Sequence, residues 1–379
     1  MIDRNRYENK LLLALKRSPV TTLLGPRQCG KTTLARGVWN KMGGTYLDLE
    51  RRSDRARLEN PELFLEALSG LVVIDEIQRI PSLLEIIRPL SDREDKPATF
   101  LLLGSASPDI VKGASESLAG RTEFVDLAGF DLTEVGSPNI ETLWFRGGFP
   151  RAFLAEDDGS SMVWLENFTR TFLERDLTQL ESSADSATFR KLWMMIASMQ
   201  AQILNYSSLG RSMALSYKTI QKYLDILEGA FMIRRLQPWF SNTRKRLVKS
   251  PKIYIRDSGI LHSLLEIETP YFLRGHIIAG ASWEGFVLEQ LFALFGSRNC
   301  YFWSTHQGAE LDLLVRRKGG NYGIEIKLSE APKVTRSMRI ALKELSLNHI
   351  WVIYPGDEKY PLERNITACP LSAIDSLPF

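Results

Sequence analysis

The segment Gly25-Pro26-Arg27-Gln28-Cys29-Gly30-Lys31-Thr32 constrains this chain more than any other stretch of it. It fits G-x-x-x-x-G-K-S/T at every fixed position, follows the apolar run Val20–Leu24 and precedes a helical pattern. A strand must therefore turn sharply into a helix at this point. Glycines there let backbone N–H groups curl around phosphate, a lysine reaches the terminal phosphates, and a hydroxyl holds Mg²⁺. Gly25, Gly30, Lys31 and Thr32 supply these groups, with Pro26, Arg27, Gln28 and Cys29 in the loop and Thr33 next on the helix. The expected ligands are ATP and Mg²⁺.

Around the loop, short apolar runs alternate with polar helical stretches: Val20–Leu24, Thr45–Leu49, Leu71–Ile74, Phe100–Leu103 and Glu123–Leu127. That rhythm predicts a parallel α/β sheet. The third run ends in Asp75-Glu76. Asp75 is expected to hold Mg²⁺ through water, and Glu76 to polarise the water that attacks the γ-phosphate. A buried strand followed by a solvated acidic turn would read the same way locally.

The full length, 379 residues, exceeds one compact core. Breaks at Gly136–Asn139 and at Gly147, Gly148 and Pro150 divide it. The expected organisation is α/β with four parts: a P-loop domain over 1–135, a helical lid or connector over 136–201, a winged-helix-like domain over 202–265, and a restriction-endonuclease-like α/β domain over 266–379. Trp164–Ala201 is apolar at helical spacing, and there is no internal repeat.

Composition mainly excludes. With 44% hydrophobic and 25% charged residues, neither disorder nor a fibrous repeat is indicated. No run approaches a membrane span, and Met1–Lys16 carries charges where a signal peptide has an apolar core, so a cytoplasmic protein without a membrane partner is expected. Cys29, Cys300 and Cys369 have no zinc spacing, and their odd number argues against a disulfide framework. A net charge of +3 neither demands nor excludes nucleic acid, which leaves the matter to local patterns.

Those patterns lie in the second half. Ser208–Gly229 reads as helix, turn near Ser216, and helix, with Ile220, Leu224 and Leu227 on one face and Lys218, Gln221 and Lys222 on the other. The polar set suits phosphates and base edges in a major groove. The β-like run Phe231–Leu236 follows, then a basic series, Arg244, Lys245, Arg246, Lys249 and Lys252, that suits a wing on the phosphate backbone. DNA is the expected partner. A winged helix used for protein packing, with a solvated basic loop, is the open alternative.

Further on, Glu284 falls on a helical stretch, Asp312 in the run Glu310–Val315, and Glu325 and Lys327 in Gly323–Lys327. The set resembles a PD-(D/E)xK nuclease core. Asp312 and Glu325, with help from Glu284, would bind Mg²⁺, and Lys327 would steady the phosphate or orient water. A binding module without cleavage and a plain solvated strand face stay open.

The order of motifs resembles bacterial and archaeal AAA-type ATP-binding proteins that carry a C-terminal domain of unknown function. The likeness rests on Gly25–Thr33, Val73–Ile77, Leu118–Thr122, Gly147–Pro150, Lys249–Tyr254 and Glu310–Lys327. It implies that Ser105, at the tip of the run Phe100–Leu103, is a sensor residue. It further implies that Arg121 is an arginine finger reaching a neighbouring subunit, which requires a homo-oligomer. Arg121 also suits a locally paired surface arginine, and Arg151 is a second sensor candidate. The expectation is an AAA-type ATPase that hydrolyses ATP and acts on DNA. The alternatives are a nucleotide-dependent regulatory switch with a protein partner and an ATP-gated, metal-dependent nuclease.

Overall fold

Strand β1 (Val20–Gly25) is buried at every position, as a central parallel strand flanked by helices must be. The computed structural model describes residues 2–93, 98–105, 114, 116–177, 185–240 and 248–378. They cluster into two compact units, Met1–Gly129 with Gly229–Phe231, and Phe130–Glu228 with Met232–Phe379.

In unit 1, β1 is joined by β2 (Thr45–Asp48), β3 (Gly70–Asp75), β4 (Ala98–Ser105) and β5 (Thr122–Asp126) in the order β2-β3-β4-β1-β5. Every pairing is parallel. The expected runs thus fall on the observed strands. Side chains alternate between two cores, with Leu71 and Val73 of β3 on one side and Val72 and Ile74 on the other. Helices α1 (Asn5–Arg17) and α2 (Lys31–Met42) cover the first face through Leu11, Ala14, Leu34 and Val38, and α3 (Leu83–Leu90) covers the second through Leu83 and Ile87. Both faces of the sheet are therefore sealed, and its chemistry is confined to the strand ends.

Unit 2 opens with helices. The stretch Trp164–Ala201, expected to be helical, overlaps α4 (Asp158–Thr171), which begins six residues earlier, and contains a π-helical continuation over Phe172–Asp176 and α5 (Ser186–Ser198). Asp157 and Asp185 cap α4 and α5 with their side chains. Next come α6 (Tyr206–Met213) and α7 (Tyr217–Gly229), with Ile220, Leu224 and Leu227 fully buried. A three-stranded antiparallel sheet accompanies them, β6 (Gln202–Ile203), β8 (Lys252–Ile255) and β7 (Ile233–Leu236) in that spatial order. Beyond α8 (Ser258–Leu264) and the buried α9 (Ala279–Phe295) lies a six-stranded mixed sheet. Its strands are β9 (Cys300–Ser304), β10 (Glu310–Arg317), β11 (Gly320–Ile326), β12 (His349–Tyr354), β13 (Tyr360–Glu363) and β14 (Ile366–Pro370), in the order β13-β14-β12-β11-β10-β9. Helix α10 (Arg336–Glu344) buries Met338 and Ala341 in this sheet's core. The two sheets meet where Trp239 N donates to Phe302 O at 2.7 Å and Phe302 N donates to Gln237 O at 3.1 Å.

The Gly147-Gly148 break has a packing reason. Gly147 has φ +75, and a side chain there would strike the carboxylate of Asp257. Asp257 accepts from Gly148 N at 2.8 Å and caps α8 through Ile260 N at 2.9 Å. Burial pushes its carboxyl up to about 6.

Candidate functional site

In unit 1 the turn from β1 into α2 places the 25–32 loop at the carboxyl end of the sheet. Gly25 leaves no room for a Cβ against Leu127 O, and Gly30 has φ +99, so both glycines are required by shape. Lys31, 7% exposed, donates to Gly25 O and Pro26 O at 2.8 Å each. Thr32 Oγ1 donates to Asp75 Oδ2 at 2.9 Å. The two halves of the site, far apart in sequence, therefore meet. Gly25 pairs in register with Ser105, so the tip of β4 lies beside the loop; the Ser105 side chain lies outside the described residues.

Glu76 stands next to Asp75 in the left-handed region, at φ 59, an uncommon conformation for a residue with a side chain. Burial raises its carboxyl above the usual range; Lys31 opposes that and Asp75 adds to it. The Gln78 amide donates to Glu76 Oε2.

Two contributors were not visible in the sequence. Tyr46 of β2 donates its hydroxyl to Asp75 Oδ2 at 2.7 Å, and burial, followed by the Asp75 charge, pushes the phenol far up. Arg4 donates to Cys29 O at 2.8 Å, to Gly129 O at 2.9 Å and to Ala128 O at 3.3 Å, bracing the loop from behind. Only the aromatic character of β2 and a lone basic residue before α1 hint at either.

Arg121 is placed at the opposite end of the sheet, where its carbonyl accepts from Val20 N at 3.2 Å. Its guanidinium makes a bidentate pair with Asp92, at 2.8 and 2.7 Å. Arg151 is exposed.

In unit 2, Lys218, Gln221 and Lys222 project from the exposed side of α7. Arg244, Lys245 and Arg246 lie outside the described residues. Lys249 is exposed, but Lys252 departs from the expected wing: it sits on β8, a strand buried at every position, with its side chain 5% exposed. The apolar neighbours Ile253 and Tyr254 were the overlooked sign that this lysine belongs to a core strand.

Lys252 Nζ points into the carboxylates expected to form the nuclease-like site. It is 3.2 Å from Glu284 Oε1 and 3.7 Å from Asp312 Oδ1. Tyr254 OH donates to Glu284 Oε1 at 2.7 Å, and Ile326 N donates to Asp312 Oδ2 at 2.8 Å. Period-two alternation brings Glu325 and Lys327 to one face, joined at 2.7 Å. Burial first, then the Asp312 charge, pushes Glu284 up to about 7 and Glu325 up to about 8. Among the described residues no group of three or more His, Cys, Asp or Glu side chains is arranged to hold a metal ion.

Comparison with known proteins agrees with the geometry of unit 1. Residues 17–136 match an AAA domain, 137–271 a domain of unknown function (DUF8612) and 279–374 a second such domain (DUF4143). The parallel sheet and its loop define an AAA-type ATP-binding protein. The chain belongs to the family of the uncharacterized proteins Rv2008c of Mycobacterium tuberculosis and Mb2031c of Mycobacterium bovis, each 47% identical over 374 residues, 99% of this chain and 85% of the relative.

Among solved structures, the Walker-type ATPase PABY2304 of Pyrococcus abyssi aligns at 17% identity with a TM-score of 0.49, covering 70% of this chain and 96% of that one. The DNA clamp loader delta protein of Bacillus subtilis aligns at 12% identity and a TM-score of 0.30, covering 59% of this chain and 88% of its own. Likenesses this loose leave function to the chain's own residues. No helix among the described residues is long and apolar enough to cross a membrane.

Proposed function

We propose that this chain hydrolyses ATP with Mg²⁺ in unit 1 and works on DNA as a homo-oligomer. The observation that carries the proposal is the 2.9 Å contact between Thr32 and Asp75, which sets a hydroxyl and a carboxylate side by side at the N-terminus of α2. Hard oxygen donors in that arrangement fit Mg²⁺, with Thr32 as direct ligand and Asp75 acting through water. A Mg²⁺ held by Thr32 and Asp75 would supply charge neutralisation for the phosphates. Residues 27–31 offer the phosphates backbone N–H groups, and Lys31 exchanges two neutral carbonyls for anionic oxygens, a stronger hydrogen bond. Glu76 orients the attacking water, and Ser105 reads the γ-phosphate.

Arg121 supports an oligomeric reading. It lies at the far end of the sheet from its own loop and is held by Asp92, so serving a neighbouring subunit requires it to leave that pair. For DNA, the support is the exposed trio Lys218, Gln221 and Lys222 on α7, the second of two consecutive helices accompanied by a small antiparallel sheet, which a winged helix requires.

The test is ATP turnover with and without duplex DNA, alongside a native mass. DNA should stimulate turnover in an assembled species. Turnover indifferent to DNA would leave a regulatory nucleotide switch with a protein partner. Mixing Lys31→Ala with Arg121→Ala subunits, each inactive alone, should restore part of the activity. A fully active monomer would exclude the trans arginine.

A further inference from the structure

The pocket of unit 2 has the carboxylates of a divalent-cation site and a lysine where the cation would be. Mg²⁺ requires oxygen ligands at about 2.0–2.1 Å in near-octahedral array and keeps several waters. Here Glu284 Oε1 and Asp312 Oδ1 both face the ammonium of Lys252, at 3.2 and 3.7 Å. The remaining groups are also engaged. Asp312 Oδ2 accepts from Ile326 N, Tyr254 OH donates to Glu284, and Lys327 holds Glu325 Oε1. Glu325 Oε2 is buried with no hydrogen-bond partner, so the cation held by this third carboxylate is the Lys327 ammonium on its other oxygen.

Lys252 differs from a surface lysine that swings aside. Its backbone lies in the centre of a three-stranded sheet, paired with Ile203 on one side and Leu236 on the other. Its ammonium lies 5.8 Å from the centroid of the buried Phe302 ring. Displacing it would strand a charge in a nearly dry interior, which is far costlier than leaving the pair intact.

We infer that Lys252 is the resident cation of this pocket, standing in place of a divalent metal, so that in the native chain unit 2 binds no catalytic metal ion and does not cleave nucleic acid. The same residues that resemble a nuclease core then form a pocket occupied by lysine, in which Lys252 and the half-buried Lys327 face the carboxylates. The inference is independent of the ATPase proposal and would survive its failure.

Mn²⁺ binding to the nucleotide-free full-length chain, followed by electron paramagnetic resonance, tests it. Wild type and Asp312→Asn should bind Mn²⁺ identically, because any weak binding at the P-loop is common to both. Lys252→Met, which keeps the length of the stem and removes the charge, should gain one Mn²⁺ per chain, and Lys252→Met with Asp312→Asn should lose it again. Wild-type binding that Asp312→Asn abolishes would overturn the inference. So would a folded Lys252→Met that gains no site. Should Lys252→Met fail to fold, the wild-type comparison stands, joined by nicking of supercoiled DNA in Mn²⁺. Absence of nicking is expected, and nicking lost with Asp312→Asn would refute the inference.

Discussion

The P-loop of unit 1 and the carboxylate pocket of unit 2 each set a buried lysine near acidic residues, yet they use that lysine differently. Lys31 rests on two neutral carbonyls, while Asp75 is satisfied by the neutral donors Thr32 and Tyr46. Lys252 is committed to Glu284 and Asp312. A lysine parked on carbonyls can trade up to phosphate and leave an aspartate free for a metal ion. A lysine set between carboxylates has already been given the metal's role. The contrast separates a site prepared for a ligand from one that is complete without it.

The largest expected effect sharpens the first half of that contrast. Lys31→Ala should abolish ATP binding, measured with a fluorescent nucleotide, while Glu76→Gln should bind normally and hydrolyse about 10²–10⁴-fold more slowly, since only the water-orienting carboxylate is lost. Hydrolysis by Glu76→Gln at the wild-type rate would remove Glu76 from its role.

The pocket of unit 2 should announce itself through pH. Glu284 and Glu325 hold their protons to about 7 and about 8 in the folded chain, against 4.5 for an ordinary glutamate. Folded-state values raised above the unfolded ones mean that the native form binds more protons, so their contribution is complete below about pH 4.5 and is lost as pH rises through 7 to 8. Seven of the eight tryptophans, all but Trp39, lie in unit 2, so their fluorescence reports its unfolding. The midpoint should fall by at least ~2 °C as pH rises across that window, and Glu325→Gln should flatten the upper part of the fall. A midpoint that rises instead would mean that these carboxylates are ionised and well compensated.

A smaller effect belongs to Tyr46. Tyr46→Phe removes a donor to a buried carboxylate, worth roughly 1.5–3 kcal/mol. Unit 1 should lose stability by about that amount while ATP turnover changes less than ~3-fold. A loss of turnover comparable to that of Glu76→Gln would give the phenol a part in the chemistry.

Legibility differed between the two regions for a physical reason. The strands of unit 1 could be read because parallel strands covered on both faces are continuous apolar runs, and the loop because its sharp turn demands glycine at Gly25 and Gly30. Arg4 and Tyr46 were missed because they reach residues 25 and 29 or more positions away, contacts that leave no local pattern. In unit 2 the alternation of Glu325 and Lys327 was readable, since a strand fixes which side chains share a face. Lys252 reads as part of the basic series suited to a wing when its charge is taken without its apolar neighbours Ile253 and Tyr254. The basic residues Arg244, Lys245 and Arg246, on which the DNA expectation partly rested, lie outside the described residues.

The central claim, that the metal chemistry of this chain belongs to unit 1 and is brought by the nucleotide, is tested most directly by counting Mn²⁺ bound per chain in the presence of a non-hydrolysable ATP analogue. One ion is predicted, absent in Lys31→Ala and untouched by Asp312→Asn. Two ions in the wild type, of which one survives Lys31→Ala and disappears with Asp312→Asn, would contradict it.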